Sequence, residues 1–281
     1  DVDGMKVGNI RELSTGFKYN VASPSWDEDS QHIWFNALTE GLQALYVTDL
    51  KGNITRKTGE GLWYDFTTPF FIDRADGREI LYTTWQSMDF PTEIVAFNTA
   101  TQTGTKVTDE NGHILSQLKG HRTEARMVKT VDGKDMLTWV LYPPEFDQSK
   151  EWPAIEICLG GPQGTLSQGW SYRWNYRLMC SQGYVVVLPN RRGTTAFGQE
   201  WCEQISGDYC GLNIQDYLCA AREMKAEPYI GKMAACGASY GGYSVYYLCG
   251  VHGNVYDAFI AHAGIFNQEH MYMTTEEMWF P

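Results

Sequence analysis

The 281-residue sequence predicts part of a β-propeller, about two to three blades, over residues 1–120, followed by the N-terminal part of an α/β-hydrolase domain over residues 121–281. Three observations predict this order. The first is a repeat of about 47 to 49 residues near the N-terminus, the length of a blade of four short strands. The second is an alternation of strands and helices after Trp152, the mark of a mostly parallel sheet covered on both faces. The third is Gly237-Ala238-Ser239-Tyr240-Gly241 placed between a strand and a helix, where the pattern GxSxG denotes a nucleophile elbow.

The repeat is read from matching turns and runs. Trp26 to Ser30 forms a turn before His32 to Ala37; Ala44 to Leu50, the turn Lys51-Gly52-Asn53 and Ile54 to Thr58 follow. Phe71 to Gly77, Glu79 to Trp85, Glu93 to Asn98 and Thr105 to Thr108 repeat that series, with Ile33 matching Ile80 and Tyr46 matching Val95. Arg11 to Gly16 resembles the end of a preceding blade. So few blades cannot close a ring and would leave an apolar face open. This side is therefore expected to be a piece of a larger propeller, with a small β-sandwich or meander as the alternative.

After Gly120 the pattern changes. Ala125 to Thr130 and Met136 to Tyr142 flank the turn Val131 to Lys134, a β-hairpin. Strand Ala154 to Leu159, a helix-compatible stretch Tyr172 to Gln182, strand Tyr184 to Leu188, helix Asn213 to Ala226, strand Met233 to Cys236, the helix after Ser239 and strand Ala258 to His262 complete the series.

At the elbow, side chains two residues before or after Ser239 would collide with the neighbouring strand and helix, which calls for Gly237 and Gly241. A serine hydroxyl needs a base to take its proton and a third group to orient the base. In α/β-hydrolases the chain order is Ser, acid, His. Only 42 residues follow Ser239, too few for the strands and helices that precede the acid and base, so the triad partners are expected beyond Pro281 and the chain reads as an internal fragment. His252 suits the C-terminal turn of the helix, His262 ends a strand on the active-site edge, and neither it nor His270 stands in the right topology for the base. Asp257 reads as structural. An oxyanion needs two aimed N–H donors: one is the amide of Tyr240, the other comes from Gly160-Gly161-Pro162-Gln163-Gly164, which follows the right strand but is also compatible with a plain tight turn.

Composition limits the alternatives. A 43% hydrophobic and 20% charged chain is that of a globular protein. The net charge of −12 argues against nucleic acid, and no apolar run reaches the roughly 20 residues a membrane span needs. The seven cysteines are odd in number and lack a CxxC pair, which points away from metal binding and toward buried thiols. Cys202 and Cys210 are close enough in sequence for a small disulfide loop.

GASYGGY at 237–243, LGGPQG at 159–164, PNRRGTTAFGQEW at 189–201, GDYCG at 207–211 and Asp216 resemble the prolyl oligopeptidase family of serine peptidases, on its dipeptidyl peptidase side. SQGWSYRW from Ser167 and IAHAGIFN from Ile260 strengthen that likeness. The resemblance implies a propeller joined to a hydrolase domain and an acyl-enzyme on Ser239, with no cofactor and no metal. It further implies dipeptides released from short peptides, no nucleic-acid or membrane partner, a periplasmic or secreted location, and a homodimer as an open assembly state. Tyr240, Ile265 and Phe266 would line the substrate pocket, with core packing an equal reading for the last two. Arg192, Asp208 and Asp216 would support the nucleophile's surroundings. Leu159 departs from branches in which a Tyr there donates to the oxyanion. An acylaminoacyl peptidase or esterase on the same scaffold, and a binding module with Ser239 idle, are the other readings. The chain by itself is expected to be nearly inactive.

Overall fold

The computed structural model describes residues 2–3 and 6–276. A short antiparallel pair, β1 (Val2–Asp3) and β2 (Lys6–Val7), opens the chain. Next, β3 (Ala22–Trp26), β4 (His32–Thr39), β5 (Leu42–Asp49) and β6 (Ile54–Arg56) form a four-stranded antiparallel meander. Glu40 and Gly41, both at positive φ, make the two-residue turn between β4 and β5, the backbone twist that such hairpins require.

The second repeat builds its own sheet. It comprises β7 (Asp65–Phe66), β8 (Phe71–Asp73), β9 (Ile80–Ser87), β10 (Phe90–Asn98) and β11 (Thr103–Lys106), with β7 and β8 both pairing with β9. Ile33 and Ile80 fall in β4 and β9, and Tyr46 and Val95 in β5 and β10, so the repeat is one of structure. Buried and less buried residues alternate along β9 and β10, the period of a strand with one covered face. The two sheets pack through Trp34, Leu45 and Val47 against Phe66, Leu81, Trp85 and Phe97. Between the repeats, Arg74 binds the buried Asp27, whose Oδ2 also accepts from Trp34 Nε1 at 2.8 Å. Trp26 and Phe71 to Asp73, expected in turns, end or form outer strands because their neighbours offer backbone partners.

A one-turn helix, α1 (Gly112–Leu115), leads into the third region. It contains β12 (Arg122–Lys129), β13 (Asp135–Tyr142), β14 (Trp152–Cys158), α2 (Tyr176–Ser181), β15 (Val185–Pro189), α3 (Gln199–Glu203), α4 (Leu212–Lys225), β16 (Ile230–Ala238), α5 (Tyr240–Val251), β17 (Ala258–His262) and α6 (Gln268–Thr274). The six-stranded sheet runs β12-β13-β15-β14-β16-β17, antiparallel at the β12 end and parallel from β15 onward. Every residue of β15 is buried, as a central parallel strand covered on both sides must be. On one face Val140, Val185 and Val187 meet Ile214, Tyr217 and Leu218 of α4 and Val245 and Leu248 of α5. On the other, Leu137, Trp139 and Val186 meet Cys180 of α2 and also Leu42 and Met88 from the first two sheets. The N-terminal hairpin tips thus share a core with the six-stranded sheet.

The helix expected over 172–182 begins only at Tyr176, because Asn175 takes an extended backbone and the Trp174 amide goes to Ser171 Oγ at 2.9 Å. Asn175 caps α2 by accepting from the Leu178 amide at 2.8 Å, while Ser167 and Trp170 bond to Asp65 and Gln86 of the second sheet. The short α3 was not anticipated at all. All seven cysteines are free thiols, Cys158, Cys180, Cys202 and Cys236 buried. No helix among the described residues is long and apolar enough to cross a membrane.

Candidate active site

Ser239 stands between β16 and α5 with φ 57° and ψ −123° and is exposed. Its side chain caps no helix amide. A β-carbon side chain at positive φ is uncommon and costs energy, so the surroundings must hold it. The Ser239 amide donates to the carbonyl of His262, 3.0 Å away at the end of β17. A Cβ on Gly237 would lie 2.4 Å from Gly241 O, and one on Gly241 would lie 2.0 Å from Cys158 O. Both contacts are with backbone, which cannot step aside, so glycine is compulsory on either side of the serine. Gly242 serves a third close approach, to the backbone of Gly264.

The loop after β14 lies against this turn. An ideal Cβ on Gly160 would be 2.8 Å from Ala238 O and 3.6 Å from Ser239 Cβ. Gly161 adopts φ 124° and precedes Pro162 through a cis bond. The amides of Gly160 and Gly161 donate to no described residue, and that of Tyr240 stands at the first helical position, where no intrahelical acceptor exists. The Gly160 backbone lies near Ser239 and the Tyr240 amide follows it directly, and amides so placed are the kind of donors that can stabilise a developing oxyanion. Leu159, which offers no side-chain donor, is fixed through its carbonyl by Arg191 Nη2 at 3.1 Å.

Beneath the turn lies a buried polar layer. Arg191 is fully buried and also donates to Arg192 O at 2.7 Å and Tyr217 Oη at 3.0 Å. Asp216, buried on α4, accepts the Arg192 amide at 2.9 Å, with Arg192 Nε 3.5 Å from the same oxygen. Burial pushes the Asp216 carboxyl up to about 6 against the pull of Arg192. Asp208 contributes its carbonyl, to Asn213 Nδ2 at 2.8 Å. The Tyr240 side chain points into this layer: it is 1% exposed, and its hydroxyl lies 2.7 Å from Asn213 Oδ1 and 2.9 Å from Tyr209 O. It packs the core.

The remaining candidates lie apart. His252 follows α5 and accepts the Tyr256 amide at its Nδ1 at 3.3 Å. His262 is exposed with its ring 6.3 Å from that of Trp174, and His270 is an exposed residue of α6. Asp257 accepts the Met233 amide at 2.8 Å and tethers β16 to β17. An open cavity of about 970 Å³ begins at Pro162 and Gln163 and is walled by Tyr209, Tyr243 and Tyr272. Ile265 and Phe266 do not line it: Ile265 is half-buried, and Phe266 is 86% exposed with its ring edge-on to Tyr246. Asp27, Asp29 and His32 bring ligand atoms within 4.8 Å of one another, but Arg74 already neutralises Asp27, so that carboxylate is fitted to a guanidinium.

Two buried contacts near the site carry no signal in the sequence. Adjacent arginines in a loop motif do not announce that both are buried, as Arg191 and Arg192 are. Asp65 sits in a two-residue strand, too short for a periodic pattern, and its partner Ser167 is 102 residues away.

An exposed serine at positive φ between a parallel strand and a helix, with free amides beside it, is the arrangement of a nucleophile-elbow hydrolase. Residues 170–281 match the prolyl oligopeptidase family. Over 281 residues the chain is 46% identical to dipeptidyl-peptidase 5 of Porphyromonas gingivalis, covering 99% of this chain and 40% of that protein. It is 48% identical over 254 residues to the protein of the same name in Porphyromonas endodontalis, covering 88% and 35%. The chain thus spans about 40% or less of the length of these curated relatives. Among solved structures, an acylaminoacyl peptidase of Pyrococcus horikoshii superposes with a TM-score of 0.78 at 22% identity, over 97% of this chain and 42% of that one. Dipeptidyl peptidase 4 of Porphyromonas gingivalis gives 0.68 at 23% identity, over 90% and 36%. At these identities the structures speak for fold alone.

Proposed function

We propose that the complete protein is a serine dipeptidyl peptidase that releases dipeptides from the N-termini of short peptides through an acyl-enzyme on Ser239. The observation that carries the reading is the exposed Ser239 with the Gly160 backbone against its Cβ and the Tyr240 amide beside it. In this reading Ser239 Oγ attacks the scissile carbonyl as a base takes its proton. The amides of Tyr240 and of Gly160 or Gly161 hold the oxyanion, and the leaving amine departs with a proton before water releases the dipeptide. The names of the curated relatives support the dipeptidyl specificity. Residues 1–120 would be part of a β-propeller, residues 121–281 the N-terminal part of the hydrolase domain, and the working location periplasmic or extracellular.

Dipeptide release by the complete protein, with and without Ser239→Ala, tests the reading. Loss of kcat by about 10⁴-fold or more is expected, together with loss of fluorophosphonate labelling. Retained turnover in Ser239→Ala would sink it.

A further inference from the structure

We propose that Asp65, in the second N-terminal sheet, is a positioning residue for the loop at Gly160 to Gly164. Asp65 is only 4% exposed, yet it lies at a junction of three separate elements. Its Oδ1 accepts the Gln43 amide of β5 at 2.8 Å, and its Oδ2 accepts Ser167 Oγ at 2.6 Å. Its own strand, β7, pairs with β9. A carboxylate taken out of water is costly unless donors converge on it, and here they come from Gln43 of the first sheet and from Ser167 in the segment that continues the glycine loop.

That segment is held from two directions. From the six-stranded sheet, Asn190 brackets Leu166, accepting its amide at 2.9 Å and donating to its carbonyl at 3.0 Å, while Trp139 Nε1 donates to the same carbonyl at 2.9 Å. The Thr195 amide holds Gly164 O at 3.3 Å. From the N-terminal sheets, Asp65 holds Ser167, and Gln86 Oε1 accepts the Trp170 amide at 3.2 Å. Gly169 lies beside this junction, with an ideal Cβ there at 3.4 Å from Asp65 Oδ2, an ordinary contact. Asn190, Trp139 and Thr195 anchor the segment to the six-stranded sheet, and Asp65 with Gln86 anchors it to the N-terminal sheets, so the docking of those sheets helps set the path of the loop beside Ser239.

The inference rests on the reading of Ser239 and this loop as an acyl-transfer site, and its test separates the two. Asp65→Asn keeps the shape but turns a donor toward a backbone N–H; Ser167→Ala removes one bond and leaves the carboxylate in place. Hydrogen exchange is expected to quicken about tenfold at residues 164–170 in Asp65→Asn, and less in Ser167→Ala, with the β13, β14 and β15 amides unchanged. In the complete protein, dipeptide turnover should lose about tenfold in kcat with KM nearly constant, because oxyanion donors act in the transition state. The double variant should be no worse than Asp65→Asn, since both changes break one link. Unchanged exchange at 164–170 in both variants, a change confined to KM, or additive losses would overturn the proposal. Turnover that survives Ser239→Ala would instead overturn the functional reading, leaving the exchange result to judge the anchor.

Discussion

The amide of Ser239 donates to the carbonyl of His262 at 3.0 Å, so the strained turn is tied to the end of the neighbouring strand rather than supported by its own helix alone. That tie explains why α5 can begin directly at Tyr240. It also gives His262 a role through its backbone, while its exposed ring is free of the turn.

The glycines around the serine differ sharply in what they tolerate. Gly241→Ala places a Cβ 2.0 Å from Cys158 O and is expected to cost at least about 3 kcal/mol or prevent folding. Gly250→Ala, in the same helix with nothing within 4 Å, should stabilise by about 0.5–1 kcal/mol. Urea denaturation midpoints of the two variants check the contrast.

Tyr240→Phe separates the residue's two faces. Removing the hydroxyl deprives the buried Asn213 Oδ1 of its donor and takes one from Tyr209 O, at a cost of about 1–2 kcal/mol. The amide stays, so kcat of the complete protein should change by less than about threefold. A large loss of kcat at unchanged KM would mean that the phenol itself takes part in the chemistry.

Glu156 on β14 is fully buried, accepts a hydrogen bond from Tyr256 Oη, and has its carboxyl pushed well above the usual range by burial. A carboxyl raised in the folded state favours folding most below its unfolded pKa, and that contribution is lost as pH rises. Glu156→Gln should therefore gain stability relative to the parent protein between about pH 5 and pH 8. Thermal midpoints across that range test the slope.

His121 titrates in the opposite sense. Its ring is buried beside Asp89, with Nδ1 3.3 Å from Asp89 Oδ1. Burial first, and Arg177 further, lower its pKa against the pull of Asp89. A histidine depressed in the folded state loses stability as pH falls below its unfolded value of about 6.5. His121→Gln should flatten the fall in thermal midpoint from about pH 7 to pH 5. An unchanged slope would count against this assignment.

Much of the framework could be read from local patterns. Ala258 to His262 is the observed β17, and the β4, β5, β9 and β10 strands lie where the repeat puts them, because alternation and turn residues act over a few neighbours. The elbow was legible for the same reason: Gly237, Ser239 and Gly241 lie within five residues, and their sterics are local. The helix expected from Tyr172 begins only at Tyr176, because Asn175 takes an extended backbone and caps the Leu178 amide.

By itself, then, the sequence determined most of the longer strands, the helices α4 and α5 and the place of Ser239 between strand and helix, each set by contacts between near neighbours. The tertiary structure alone decided that Arg191 turns inward to hold Leu159, that Phe266 stands out from the cavity, and that Asp65 reaches Ser167. Those outcomes depend on which buried donors and acceptors meet across sheets. A charged residue in a loop or a two-residue strand has no periodicity to announce its partner, and only the desolvation of the assembled core selects it.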